Sequence, residues 1–158
     1  MSANGYLIDR ATRHQVMIQR FASGQVKESL PILRQMLRDI RAALAQQDLT
    51  SFQTARLIVL QSDLKAITAA AGVAMSELYT PSMIEFADYE ARFTTTLLQG
   101  AVTVELAGVS TVALGRAVTS APVRLVSGQK TITTTFEGLF DTFAKGAARE
   151  VMTTVQAG

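Results

Sequence analysis

Arg13, Arg20, Lys27, Arg34 and Arg41 fall seven residues apart. Seven residues make close to two helical turns, so on one helix these cations share a flank. Arg38 stands beside the same line. Such a row can pair with carboxylates on a neighbouring helix or contact a phosphate backbone. The plainer reading is pairing, with Glu85, Asp88 and Glu90 of a later segment as partners. Phosphate contact would be independent of base sequence and would weaken steeply with salt. No aromatic residues interleave the row, so stacking on single strands is not indicated.

Other chemistry is thinly represented. His14 is the single histidine and there is no cysteine. No HExxH, Cys/His or EF-hand spacing occurs, and Glu85, Asp88 and Glu90 lack a calcium-loop glycine. Ser23-Gly24 lacks the flanking elements of a nucleophile elbow, and no GxGxxG or Walker-type loop is present. The expectation is a non-enzymatic protein without metal or cofactor.

The elements that must carry the basic row are helices. Val26, Leu30, Leu33, Leu37, Ile40 and Leu44 alternate spacings of four and three, the rhythm of a coiled-coil seam. A helix is predicted over residues 6–46, with Ser23-Gly24 a candidate break and Pro31 a candidate kink or first-turn residue. Thr50 and Gln53 form a capping-box pattern that starts a second helix, where Leu57, Leu60, Leu64, Ile67, Ala71 and Leu78 continue the rhythm. The short connection favours an antiparallel hairpin. Thr80-Pro81-Ser82 with Glu85 predicts the start of a third helix running to Gln99. Residues 100–130, punctuated by Gly100, Gly108, Gly115 and Pro122, read as an irregular arm with a short helix near 111–119. Strand is the rival there, because TVELAGV and VRLV contain β-branched runs. The arm is expected to order against a neighbouring subunit or a partner. Thr134 with Glu137 predicts a terminal helix over 135–156. Phe21, Met36, Phe86, Phe93, Phe136, Phe140 and Phe143 are expected in a core or subunit interface.

These elements define an all-α chain. Residues 1–99 form a helical bundle, 100–130 a low-propensity arm and 131–158 a terminal helix. Net charge is only +2 over 158 residues, yet residues 1–50 hold seven Lys/Arg against four Asp/Glu. The basic field is therefore concentrated in the first helix. A mean hydropathy of +0.22 suggests surface covered by other copies or partners, so a homo-oligomer is expected. The opening MSANGYLIDRATRHQ has no apolar core followed by a small-residue cleavage site. The nearest approach to a membrane span is Leu97–Leu114, interrupted by Glu105 and glycines, so membrane contact is left as a conditional expectation.

Two segments carry a family resemblance. RHQVMIQRFASGQVKESLPILRQMLRDI, residues 13–40, and FEGLFDTFAKGAAREVMTTVQAG, residues 136–158, resemble the N-terminal region of tailed-phage minor head (head-morphogenesis, Mu-F-like) proteins. The helix bearing Tyr89, Glu90 and Phe93 is similar in style. Those proteins usually continue into a further domain, so the chain is expected to be a fragment or a shorter virion protein on the same module. The resemblance implies a structural protein in the head interior or close to the head, and in the host cytoplasm during assembly. Its implied partners are portal, capsid or packaged DNA. It also admits an internal protein that leaves with the genome and engages the host envelope. A sequence-independent DNA-binding module is the rival from another class.

Overall fold

The computed structural model describes residues 3–46, 54–100, 108–127 and 130–157. The order of elements is α1 (Ala3–Ala45), α2 (Thr54–Gln99), α3 (Thr111–Ser120), β1 (Pro122–Ser127), β2 (Lys130–Thr135) and α4 (Phe136–Ala157). Four helices and one two-stranded sheet make up the described residues, so the fold is all-α in character.

α1 and α2 form the predicted hairpin. At 43 and 46 residues they extend roughly 65–70 Å. Neither Ser23-Gly24 nor Pro31 interrupts α1, and Pro81 lies inside α2. The third helix expected to start at Thr80 is therefore the second half of α2. A proline inside a helix removes one backbone hydrogen bond and costs about 3 kcal/mol. Here its neighbours are anchored: the Tyr79 hydroxyl donates to the Gln25 carbonyl of α1 at 3.3 Å, and Ser82 Oγ donates to the Leu78 carbonyl at 3.2 Å. Packing outweighs a local start signal. The Thr50/Gln53 capping pattern lies outside the described residues.

The arm contains both rival structures. Ser110 caps α3, its Oγ accepting from the Ala113 amide at 3.2 Å, a bond that compensates one of the open donors at a helix start. VRLV lies in β1, which pairs antiparallel with β2 from Pro122↔Thr135 to Ser127↔Lys130. Most of TVELAGV falls outside the described residues. The terminal helix starts one residue later than predicted. Thr135, rather than Thr134, supplies the cap by accepting from the Gly138 amide at 3.0 Å.

α4 lies antiparallel along the first half of α2. Small residues permit the approach. A Cβ added at Gly72 would stand 3.0 Å from the Phe140 carbonyl oxygen and 3.3 Å from Ala144 Cβ. Ala71, Ala144 and Ala148 are buried with it. The core formed by Ile40, Ala43, Leu60 and Leu64 is closed by Met36, Leu44, Ile67, Val151, Met152 and Val155. Thr68 is sealed in this region, its hydroxyl donating to the Leu64 carbonyl at 2.8 Å, so no polar atom of that side chain is orphaned.

α4 covers only part of the hairpin. Beyond it, aromatic rings tie α1 to α2: Phe21 stacks on Phe86 at 4.6 Å and His14 on Phe93 at 3.8 Å. α3 packs against the same half of α2, with Gly115 near the Ile84 methyl.

Candidate interaction surface on the first helix

The six seam residues do not share one fate. Ile40 is buried, and Leu33 and Leu44 are half-buried. Val26, Leu30 and Leu37 are 59%, 38% and 46% exposed. The expected seam is thus split between the molecule's own core and its surface. The inward face of α1 instead follows His14, Ile18, Phe21, Gln25, Ser29, Met36, Ile40 and Ala43. Its period is near that of a straight helix, whereas a seven-residue repeat drifts about 20° per heptad away from it. Val26, Leu30 and Leu37 therefore ride up as an apolar shoulder beside the buried face.

Hydropathy could not single out the true inward face, because three of its positions, His14, Gln25 and Ser29, are polar. Ser29 is buried, with its hydroxyl donating to the Val26 carbonyl at 2.8 Å. Gln25 uses its backbone carbonyl to receive Tyr79, while its side-chain Oε1 is buried without a hydrogen bond.

The basic row emerges on the far side of the shoulder. Arg13, Arg20, Lys27, Arg34, Arg38 and Arg41 are all exposed on α1. Arg13 pairs with Asp9 at 2.9 Å on its own helix, and Arg38 bonds to Gln35. The expected pairing with the acids of α2 is not seen. Asp88 holds Arg92 one turn away, and Glu90 faces His14. Among the described residues, Arg20, Lys27, Arg34 and Arg41 have no acidic partner.

His14 belongs to the hairpin's closure. Its imidazole lies parallel to Phe93, with Nδ1 3.4 Å from the Tyr89 hydroxyl and Nε2 3.2 Å from Glu90 Oε1. That carboxylate oxygen is buried and accepts no hydrogen bond, so it meets the ring by proximity alone. Among the described residues no group of three or more His, Cys, Asp or Glu could hold a metal ion.

Surface hollows lie along the helices among the described residues. One of about 660 Å³ runs between α2 and α4 past Lys65, Thr68, Lys145, Arg149 and Met152. A second, about 600 Å³, is apolar and lies between α1 and α2 on the flank away from α4, where Ile32, Met36, Ile67, Ala70 and Ala74 meet. A third, about 360 Å³, is bordered by Arg13 and Arg20 with Val16 and Met17 between them. Among the described residues α2 is the helix long and apolar enough to cross a membrane, and residues 101–107 of the segment Leu97–Leu114 lie outside the described residues.

Comparison with family models, curated proteins and solved structures finds no match to this chain.

Proposed function

We propose that this chain is a non-enzymatic structural protein of a tailed-phage virion, a minor head or internal head protein. It assembles through helical packing near portal, capsid or packaged DNA. The observation that carries the assembly role is the exposed shoulder of Val26, Leu30 and Leu37 beside a row of exposed cations. An amphipathic helix normally buries its apolar stripe, and leaving part of one in water is unfavourable by about 25 cal/mol per Å². The assignment to a phage head is supported by the resemblance of residues 13–40 and 136–158.

Two measurements test the two parts. Light scattering at low and high salt should give a defined oligomer that survives high salt. A monomer under both conditions would remove self-assembly through the shoulder. Mass spectrometry of purified particles, with heads and tails separated, should find the chain with heads. Its absence from particles would remove the virion assignment.

One observation favours a second reading, an internal protein ejected with the genome. An 18-residue window of α2 has a mean hydropathy of 1.4 and is only 28% buried. Release of that window into a bilayer would require α2 to leave α1 and α4. Association of the chain with liposomes, lost when Val73 and Ala70 are changed to Asp, is the outcome expected on this reading.

A further inference from the structure

We propose that the outer ridge of α1 binds the phosphate backbone of duplex nucleic acid without regard to base sequence. This deepens the virion reading by naming a partner, and rests on it only for where a duplex would be met. The binding itself depends on the ridge alone.

The ridge has unspent charge. Arg20, Lys27, Arg34 and Arg41 are exposed and lack acidic partners among the described residues. Several nearby acids are engaged elsewhere: Asp9 with Arg13, Asp39 with Gln35, Asp88 with Arg92 and Glu90 beside His14. A helix rises about 1.5 Å per residue, so the row from Arg13 to Arg41 extends about 42 Å with a cation every 10.5 Å or so. Its drift of about 20° per heptad keeps successive cations on neighbouring bearings. Four of these five cations are arginines, whose planar forks match phosphate oxygens two at a time. Arg13 and Arg20 also border a shallow hollow with Thr12, Val16 and Met17.

The same observations separate this partner from other anionic surfaces. A helix that lies in a membrane interface needs its apolar face free to insert. The main apolar face of α1 is packed on α2 through Phe21, Met36, Ile40 and Ala43. A protein partner would be expected to find aromatic anchors among the cations, and the ridge line holds none. A repeating, single-signed row without anchors suits a polymer with a repeating charge.

The test uses the full chain, a fluorescent mixed-sequence duplex of about 30 base pairs, and anisotropy from 50 to 200 mM salt. Three or four phosphate contacts predict a slope of log affinity against log salt of about −2.7 to −3.6, which is a loss of about 40- to 150-fold over that range. A second mixed-sequence duplex should bind equally. The variant R20Q/K27Q/R34Q/R41Q should lose at least tenfold in affinity at 50 mM salt and show a flattened slope, with helicity unchanged. Should that variant fold poorly, K27Q and R34Q singly should each reduce the slope by about one. The charge-retaining variant R20K/R34K/R41K should keep most of the affinity. No duplex binding at 50 mM salt, glutamine variants that bind as the parent does, or binding confined to phosphatidylserine vesicles would each overturn the proposal. Oligomer mass, read separately by light scattering, would keep the assembly role standing or falling on its own.

Discussion

Gly72 shows how one residue sets the distance between two helices. Its missing side chain lets the Phe140 carbonyl approach, and nothing in a helical pattern marks it for that purpose. Gly72→Leu should force α4 from α2 and destabilise the chain by about 1–3 kcal/mol, read by urea unfolding. Leu64 is fully buried in the core with Ile40, Ala43 and Leu60. Leu64→Ala should cost about 2–5 kcal/mol in that assay, since the removed atoms leave a cavity. Leu37 is different in kind: at 46% exposure, Leu37→Asp should change stability by less than about 1 kcal/mol as a surface substitution. It should nonetheless lower the oligomer mass in light scattering. Loss of the fold in Leu37→Asp would show that the shoulder belongs to the core. The pair Leu33→Asp with Leu37→Asp should abolish fold or assembly, because Leu33 is half-buried. Unchanged helicity and size in that pair would remove the seam role.

Elements gain their limits from caps and from neighbours in different proportions. α3 and α4 begin at side-chain caps, Ser110 and Thr135. Thr135→Ala should cost about 1 kcal/mol, seen as a lower urea midpoint with unchanged slope. α2 behaves otherwise, continuing through a proline that reads as a start signal. The hairpin's far half lacks α4 and depends on stacked rings. His14→Ala should remove the Phe93 stack and weaken hydrogen-exchange protection around residues 10–18 and 86–97 before it alters the α2–α4 core. Equal loss of protection across the whole chain would show that the hairpin opens only as one unit.

At the scale of the molecule, the shape is a long hairpin thickened by α4 along part of its length. Much of the apolar side-chain surface stays exposed, including Ile8, Ile58, Val59, Val73 and Val112. That agrees with the positive mean hydropathy and makes covering by other chains the economical expectation. Solution mass should therefore exceed that of one 17.0 kDa chain and should respond little to salt if the apolar shoulder governs it. An oligomer that dissociates at high salt would instead assign assembly to the charged ridge.

The sequence by itself determined the helical class, the hairpin and the short helix of the arm. Each follows from local information: the periodicity of apolar residues along a helix, a short connection between two such runs, and the glycine and proline punctuation of the arm. It did not determine which apolar stripe of α1 would be buried. Two stripes compete there, and the choice depends on where α2 and α4 lie rather than on α1 alone. Ser29, Gln25 and Thr68 became interior because neighbouring helices cover them and, for Ser29 and Thr68, because the backbone satisfies their hydroxyls. Only the tertiary structure could release Glu85, Asp88 and Glu90 from the basic row, since pairing requires contact in space and α2 turns Asp88 to Arg92 and Glu90 to His14.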